Sequence, residues 1–383
     1  MYKNELEKIY YKALDKVKAA SLIKENISIE EDILTIVNTE YQLKNYARVF
    51  IFGVGKAAYA MAKECEVILK NKIAGGLVIS TSTGDLEFTE HFSSTHPLVS
   101  EKSIEAANLL LKRVQELNED DLFIFLLSGG ASAMIEKPVD GLTLADFTKI
   151  SSALLTSGID IKALNKVRKS ISQIKGGKLA DKIKARGEVL VLSDVIGDDL
   201  DTIGSAPMNN GKFPHHIIGN NQIALKEAKE YISPQVEITK IVTTTLDMSS
   251  PNATRFISDE IKIYDAKYDT FCLLFGGETT TVVSGDGYGG RNQELALRLL
   301  LSECITNNIS ILSAGSDGID GRSDATGAFV DFDMYQKIKR KNLSPEAYLK
   351  NSDSNSFFNL LGYDFVTGIS GTNVMDFIII LKK

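Results

Sequence analysis

The stretch DLFIFLLSGGASAMIEKP, residues 121–138, decides how the rest of the chain folds. Its first part, residues 122–127, is an unbroken apolar run that is too short for a membrane span and is typical of a strand buried on both faces. Small residues and a helical pattern follow this run. This order predicts an anion-binding loop at the carboxyl end of a central parallel strand. A tight turn without a ligand explains this one loop equally well. The loop consists of Ser128, Gly129, Gly130, Ala131 and Ser132.

A second unit of strand, glycine loop and helix lies upstream. A strand predicted at residues 48–52 leads into GVGKAA, residues 53–58, and a helix follows. The loop matches the loose G-x-G-x-x-A pattern of dinucleotide sites, but the strand predicted at residues 76–81 ends without the acidic residue that would hold a ribose. Lys56 lies inside the loop, where a phosphate could meet it. The sequence contains no G-x-x-x-x-G-K-[ST] motif, which excludes a P-loop NTPase.

The C-terminal half repeats this arrangement. A strand predicted at residues 270–275 runs into a loop that contains Gly277 and Glu278. The run GDGYGGRN, residues 285–292, then opens a helix with Arg291 at its N-terminus. Because a cation there opposes the helix dipole, we expect its guanidinium to serve an anion.

Carboxylates also follow predicted strands. Asp194 comes directly after the strand predicted at residues 188–192, and Asp317 and Asp320 lie in GSDGIDG, residues 315–321. Oxygen ligands at the carboxyl edge of a sheet suit a hard cation, although the second loop is too short and too poor in ligands for an EF-hand. A turn-capping role is the alternative for Asp194.

Two basic clusters follow the 128–132 loop: NKVRK, residues 165–169, and KGGK, residues 175–178. A solvated helix face is the usual meaning of a charge run. Since the clusters lie only a loop and a helix beyond the 128–132 loop, binding of a phosphate or carboxylate is an equally good interpretation. Arg168 and Lys175 are the candidate residues.

Length and composition favour two domains. The chain has 383 residues, more than one core usually supports. A polar loop with two prolines at residues 205–215 suggests the boundary. We predict a Rossmann-like parallel-sheet domain at residues 1–215 and a mixed α/β domain at residues 216–383. Near the N-terminus, helices are predicted at residues 4–24 and 29–38.

Charge and segment composition limit the partners. The chain carries 43 basic and 50 acidic side chains, for a net charge of -7, which disfavours nucleic-acid binding. The N-terminus lacks the apolar region of a signal peptide, and no window predicts a membrane span. Three scattered cysteines suit a reducing cytoplasm. We therefore expect a cytoplasmic protein that binds neither nucleic acid nor membrane; a homodimer stays open.

The combination of loops indicates phosphoryl transfer. That reaction needs positioning and charge neutralisation, which glycine loops, the cations Lys56 and Arg291 and a carboxylate-bound metal can supply. A Ser-His-Asp hydrolase is disfavoured because Ser132 lies in G-A-S-A-M rather than G-x-S-x-G. Two other classes stay open. An NAD(P)-dependent reductase fits the G-x-G-x-x-A match, and a non-enzymatic binding module explains the loops but not the two cations in them.

Taken together, the motifs resemble the class II glycerate 2-kinases, a family whose members have often been labelled hydroxypyruvate reductases. The matching segments follow the family's order along nearly the whole chain. They are GVGKAAYAMA, THPLVSEKS, LLSGGASAM, NKVRKSISQIKGGKLA, LSDVIGDDLDTI, IIGNNQIAL, LFGGETT, GGRNQELAL, SAGSDGIDG and SGTNVMDF.

The resemblance implies two α/β domains with the active site in the cleft between them. It implies ATP and Mg²⁺ as co-substrates and transfer of phosphate to the C2 hydroxyl of glycerate, giving 2-phosphoglycerate and ADP. An NAD(P)-dependent hydroxypyruvate reductase is the alternative. The expected catalytic residues are Lys56, Arg291 and Asp194. The expected ATP-binding residues are Ser128, Gly129, Gly130, Ala131, Ser132, Gly277 and Glu278. Lys56, Arg168, Lys175 and Arg291 are expected to bind the substrate, and Asp194 and Asp317 the metal.

The chain departs from the family pattern in two places. The family usually has three glycines in the 128–132 loop, and the third is here Ala131, whose methyl group is expected to restrict the approach of a nucleotide. Family members also carry a longer segment rich in proline and threonine between residues 205 and 216, where this chain has only APMNNGKFPH. No ligand contact is therefore carried over from that segment.

Overall fold

The computed structural model describes residues 2–156, 161–306 and 308–383. Its strands are β1 (Ile27–Glu30), β2 (Ile33–Ile36), β3 (Thr39–Gln42), β4 (Arg48–Val54), β5 (Ile73–Ser80), β6 (Glu90–Ser93), β7 (Asp121–Ser128), β8 (Arg186–Leu192), β9 (His215–Gly219), β10 (Ile238–Ser249), β11 (Phe271–Thr280), β12 (Ile309–Gly315), β13 (Gly327–Asp331), β14 (Asp364–Phe365) and β15 (Asp376–Lys382). Its α-helices are α1 (Lys3–Lys16), α2 (Ala19–Asn26), α3 (Ala58–Leu69), α4 (Glu101–Gln115), α5 (Ala131–Met134), α6 (Leu144–Thr156), α7 (Ile161–Ser170), α8 (Asn221–Ile232), α9 (Ser250–Asp265), α10 (Arg291–Leu301), α11 (Asp333–Lys341), α12 (Pro345–Lys350) and α13 (Ser354–Leu361).

The chain forms two compact units. One consists of Ala19–Gly219, and the other combines Met1–Lys18 with Asn220–Lys383. The predicted domain boundary after residue 215 stays a prediction, but the assignment of residues 1–18 differs from it. These residues belong to the unit that contains the C-terminal half of the chain.

Packing of α1 explains this difference. Its buried stripe, which includes Leu6, Ile9 and Ala13, packs against α8. The hydroxyl of Tyr10, in the same stripe, donates a hydrogen bond of 2.8 Å to the carbonyl of Gly315. The helix predicted over residues 4–24 is therefore interrupted after Lys16, and α2, which begins at Ala19, belongs to the other unit.

The unit of residues 19–219 is built on a six-stranded sheet with the order β6-β5-β4-β7-β8-β9. All neighbouring pairs in it are parallel. Numbered along the chain, this is the order 3-2-1-4-5-6 of the Rossmann fold. The direction of winding reverses between β4 and β7, and ligands of such sheets bind beyond the carboxyl ends of the strands at that point. The predicted Rossmann-like fold is confirmed.

Strand β7 is buried along its whole length, as its apolar run predicts. Phe123, Phe125 and Leu127 pack into a core cluster with the buried face of α4. On the opposite face, Leu126 lies beside Gly53, whose other neighbour is Ala58 at the start of α3. With helices packed on both faces, the end of β7 is the place where the chain can present backbone to a ligand.

The second unit contains a mixed sheet with the order β10-β11-β15-β12-β13-β14. Strands β10 and β11 are parallel, and the other neighbours are antiparallel. Asp376, the first residue of β15, pairs with Gly277 of β11 on one side and with Gly315 of β12 on the other. The loops after β11 and β12 and the loop before β15 therefore gather at one edge of this sheet.

The helix predicted at residues 29–38 is wrong. This segment forms β1 and β2, which continue with β3 as a small antiparallel sheet. Leu34 and Ile36 are fully buried while Thr35 between them is not, which is the period of two that defines a half-buried strand. Glu31, at φ 53°, makes the turn between β1 and β2.

No helix in the described ranges combines the length and the apolar character that a bilayer span requires.

Candidate active site

The two glycine loops of the parallel sheet form one structure. The backbone N–H of Lys56, in the loop after β4, donates a hydrogen bond of 2.9 Å to the carbonyl of Gly129. The next N–H, that of Ala57, donates to Ser128 Oγ at 3.0 Å. Loops that were recognised separately in the sequence are therefore joined at the point where the winding of the sheet reverses.

A histidine, a methionine and a lysine, His96, Met134 and Lys56, surround Gly130. A Cβ atom built on Gly130 would lie 2.9 Å from His96 Cδ2 and 3.2 Å from Lys56 Cγ. Burial, and then the charge of Lys56, lower the pKa of His96, so that its imidazole is neutral at pH 7. His96 was not among the predicted site residues. The available signal was its position shortly after β6, whose carboxyl end lies at the same edge of the sheet.

Asp194 extends over the 128–132 loop. It follows β8, the neighbour of β7, and a Cβ atom at Gly129 would overlap its Oδ2 atom. Glycine is therefore required at position 129 for the carboxylate to occupy this place. The structure thus places Lys56 and Asp194 beside the same glycine loop, and their catalytic roles stay a prediction.

The helix after the loop is shorter than the sequence suggested. Helix α5 is a single turn, Ala131–Met134, so its dipole contributes little to anion binding. The individual backbone N–H groups of the loop are still present as hydrogen-bond donors. Those of Gly130, Ala131 and Ser132 donate to no acceptor among the described residues, as expected for the first turn of a helix. They can therefore donate to an anion.

The methyl group of Ala131 does not face this open side. Ala131 is fully buried in the core cluster, and a Cβ atom at Gly204 would lie 3.0 Å from its own Cβ atom. The expected restriction on a nucleotide is therefore wrong, because the third residue of the loop directs its side chain into the unit.

Lys175 does not have the environment of a substrate-binding residue. Its side chain is 1% exposed, and Nζ donates to Glu136 Oε2 at 2.6 Å, to the Ser132 carbonyl at 2.8 Å and to the Ile135 carbonyl at 3.2 Å. A lysine has three N–H donors, and all are used. This geometry argues against the predicted contact between Lys175 and a substrate. Arg168, by contrast, lines a pocket beside Gly130.

In the other unit, Arg291 is held by two carboxylates. Its Nε donates to Asp376 Oδ2 at 2.6 Å, and Nη2 donates to Asp376 Oδ1 at 2.9 Å and to Glu278 Oε1 at 2.8 Å. Burial alone would lower the pKa of Arg291, but the charges of Asp376 and Glu278 outweigh it and raise that pKa. The Nη1 atom donates to no acceptor in the part of the chain that the structure describes, so the guanidinium keeps donors for an anion.

Asp320 explains how an arginine is tolerated at the start of α10. Its Oδ1 accepts from the N–H of Asn292 at 3.0 Å and its Oδ2 from the N–H of Gln293 at 2.8 Å. Burial raises the pKa of Asp320 to about 7, although these two hydrogen bonds oppose the shift. Gly290 is required beside it, because a Cβ atom there would overlap Asp320 Oδ1. Asp320 therefore caps the N-terminus of α10, a role that the sequence did not predict.

Asp317 lies next to this arrangement. A Cβ atom at Gly315 would lie 3.1 Å from Asp317 Oδ1 and 3.4 Å from Asp376 Oδ1, so both carboxylates border the end of β12. Asp317 Oδ1 also accepts from the N–H of Ile319 at 3.2 Å. Within the described ranges, no group of three or more acidic, histidine or cysteine side chains could hold a metal ion. The metal role of Asp317 stays a prediction.

Gly277, at φ +128°, lets β11 approach β10 closely, because a Cβ atom there would overlap the backbone nitrogen of Leu246. Glu278 follows it and reaches Arg291. The two residues predicted to bind ATP in this unit therefore lie at the sheet edge that carries Arg291 and Asp376.

A Rossmann-order sheet with a lysine and a carboxylate at its glycine loop is typical of enzymes that handle phosphates. Two family models match the chain, the domain of unknown function DUF4147 over residues 5–217 and the MOFRL family over residues 271–376. The D-glycerate 2-kinase of Thermotoga maritima is 37% identical over 88% of this chain and 91% of its own length. The glycerate 2-kinase of Pyrococcus horikoshii is 32% identical over 96% of this chain and 94% of its own length.

The solved structures agree. The crystal structure of the glycerate kinase from Thermotoga maritima matches with a TM-score of 0.89 at 34% identity, covering 100% of this chain and 99% of that one. The chain belongs to the glycerate 2-kinase family, and the resemblance stated from its motifs is confirmed.

Proposed function

We propose that this chain is a glycerate 2-kinase, which transfers the γ-phosphoryl group of ATP to the C2 hydroxyl of glycerate and releases 2-phosphoglycerate and ADP. The observation that supports this best is the placement of Lys56 and Asp194 around the 128–132 loop, where the winding of the sheet reverses. A phosphate there meets free N–H donors and a lysine. Small molecules, ATP and glycerate, are its substrates.

The roles follow from the charges. Lys56 and Arg291 stabilise the negative charge of the transferring group, which is the main task of the protein in phosphoryl transfer. The N–H groups of the 128–132 loop hold phosphate oxygens. The hydroxyl oxygen of Ser128 accepts a hydrogen bond from the N–H of Ala57. Its side chain therefore stabilises the loop rather than contacting the nucleotide. Gly277 and Glu278 are the proposed nucleotide contacts of the other unit.

The reductase alternative has less support. Strand β5 ends at Ser80, whose hydroxyl forms a hydrogen bond of 2.9 Å with His91 Nε2. No acidic residue stands at the end of this strand, where one would hold a ribose. Two assays separate the candidates. We expect ADP formation that depends on glycerate and no oxidation of NADH or NADPH by hydroxypyruvate. Hydroxypyruvate-dependent oxidation without glycerate-dependent ADP formation would overturn the proposal.

The position of phosphorylation has a direct test. The product is passed to enolase and pyruvate kinase in the absence of phosphoglycerate mutase. We expect an immediate pyruvate signal, because 2-phosphoglycerate is the substrate of enolase. A signal that appears only after mutase is added would show that the C3 hydroxyl is phosphorylated, and would leave the kinase activity itself standing.

We also propose that Mg²⁺ accompanies ATP, with Asp194 as its principal protein contact and Asp317 as a second candidate. Mg²⁺ usually keeps several waters and binds one or two carboxylates together with substrate phosphates, so a preformed cage of three side chains is not needed. The carboxylate of Asp194 at Gly129 fits this requirement.

Asp194→Asn is expected to lower turnover about 10²-fold and to raise the Mg²⁺ concentration needed for half-maximal rate. Titration of activity with Mg²⁺ measures both effects. Asp120→Asn is the matched control, because Asp120 is exposed and lies at the amino end of β7. If Asp194→Asn leaves rate and metal requirement unchanged, Asp194 only supports the loop.

A cytoplasmic location is part of the proposal. Cys65, Cys272 and Cys304 are buried free thiols, which suits a reducing compartment. A homodimer stays a prediction for light scattering to test.

A further inference from the structure

A pocket of about 310 Å³ opens beside the 128–132 loop, inside the unit of residues 19–219. Gly130 and Ser132 form its border with that loop. Phe147 and Ser151 line it from α6, and Arg168 lines it from α7. The pocket therefore adjoins the N–H groups proposed to hold phosphate. Its lining combines the aromatic ring of Phe147 with the guanidinium of Arg168.

Two polar atoms at this pocket lack partners. Arg168 Nε and Ser151 Oγ are buried and form no hydrogen bond with any described residue. Ser151 is only 9% exposed. Buried polar atoms are nearly always paired, and a buried cation without a counter-charge is costly. Burial lowers the pKa of Arg168, in keeping with a guanidinium that has lost part of its hydration. Both atoms are therefore available to a ligand that accepts hydrogen bonds.

The chemistry of the two atoms selects an anion. A carboxylate can accept from the Nε–H of Arg168 with one oxygen and from the hydroxyl of Ser151 with the other. A neutral base such as adenine would leave the guanidinium without a counter-charge. The acceptor glycerate carries a carboxylate next to its reacting C2 hydroxyl, and the adjoining N–H groups are the proposed site of the phosphate.

The buried pair of Lys175 and Glu136 bears on Arg168. Glu136 is fully buried, and its charge acts on Arg168 in the direction that raises the pKa of the guanidinium. Its two oxygens are already engaged, Oε2 by Lys175 Nζ at 2.6 Å and Oε1 by the N–H of Lys137 at 2.9 Å. Glu136 forms its ion pair with Lys175, and none with Arg168.

We propose that this pocket binds the carboxylate of the acceptor, that Arg168 and Ser151 hold it, and that the Lys175–Glu136 pair keeps Arg168 unpaired for that purpose. The inference rests on the proposed glycerate kinase activity and adds the acceptor subsite to it. Lys175 is here a positioning residue, since it acts on the substrate only through Glu136 and Arg168.

The first test compares variants of the binding residues. Arg168→Met is expected to raise the KM for glycerate about 10- to 100-fold, the effect of losing a charge-assisted hydrogen bond, while the KM for ATP changes less than about twofold. Ser151→Ala is expected to raise the KM for glycerate several-fold. Lys166→Met is the matched control, because Lys166 is exposed on the same helix. Calorimetric titration with glycerate alone gives a readout that does not depend on turnover.

The second test concerns the positioning pair. Lys175→Met leaves Glu136 as a buried charge that attracts Arg168, so we expect a higher KM for glycerate and lower stability. The double variant Lys175→Met with Glu136→Gln removes that charge. It is expected to bring both the KM for glycerate and the stability most of the way back to the wild-type values. A purely structural role for Lys175 would change the melting temperature without moving the KM for glycerate in any folded variant.

The outcomes separate the two proposals. A wild-type protein that binds glycerate calorimetrically but does not phosphorylate it would refute the kinase activity and leave the pocket in place. An active wild type whose Arg168→Met and Ser151→Ala variants keep the KM for glycerate would overturn the pocket assignment. A rise confined to the KM for ATP would also overturn it and would assign the pocket to the nucleotide.

Discussion

Lys56→Ala is expected to lower kcat by about 10²–10³ while the protein still folds. Within the described residues, Lys56 Nζ forms no ion pair and no hydrogen bond, so its removal leaves no buried partner behind. The side chain extends beside Gly130, where the loop offers free N–H groups, and its charge is therefore available to the transferring phosphate. Steady-state kinetics with ATP and glycerate measure the loss.

The control for this experiment is Lys63→Ala, which removes an exposed lysine from α3, the helix that follows the same loop. Both variants are expected to keep the circular dichroism and the melting temperature of the wild type. Turnover within a few-fold of the wild type in Lys56→Ala would contradict the catalytic assignment. A collapse of stability in that variant alone would show that the lysine serves the fold.

Local sequence signals predicted the centre of the parallel sheet well. The apolar run at residues 122–127 predicted a buried strand, because a strand covered on both faces needs apolar residues at nearly every position. The loops at residues 53–58 and 128–132 could also be placed, since each lies at the carboxyl end of its strand. That they touch each other, through Lys56 and Gly129, follows from the strand order, which no local signal contains.

The sequence predictions failed where contacts between residues distant in sequence determine the structure. Residues 1–18 were assigned by proximity in sequence, but the apolar stripe of α1 packs against α8 from the other half of the chain. At residues 29–38 the predicted helix is wrong, because the structure uses Glu31 and Asp32 as the turn of a hairpin between β1 and β2. Nearest-neighbour patterns cannot show which partner covers an apolar face.

Residue type also failed to distinguish functional from structural charges. Arg168 and Lys175 come from similar basic clusters, yet one lines a pocket and the other is fully engaged with Glu136. Asp317 and Asp320 share one loop, yet the second caps α10 with both oxygens. Their burial and their hydrogen-bond partners separate these pairs, and both depend on the tertiary structure.

Arg291→Ala is expected to lower kcat by about 10²–10³ and, unlike Lys56→Ala, to destabilise the protein. Arg291 forms two hydrogen bonds with Asp376, whose side chain is only 3% exposed. Without the guanidinium, this carboxylate becomes a buried charge without a partner, which costs about 3 kcal/mol. Kinetics and chemical denaturation of the same variant measure the two effects.

A double variant separates catalysis from stability. In Arg291→Met with Asp376→Asn, the buried charge is removed together with its partner, so stability is expected to return to within about 1 kcal/mol of the wild type while kcat stays low. Arg298→Met is the matched control, because Arg298 lies on the same helix and pairs with Glu294 at 2.8 Å in a partly exposed i,i+4 contact. It is expected to change stability by less than about 0.5 kcal/mol and to leave kcat unaffected. If the double variant regains activity together with stability, the role of Arg291 is to neutralise Asp376 and not to stabilise the transferring phosphoryl group.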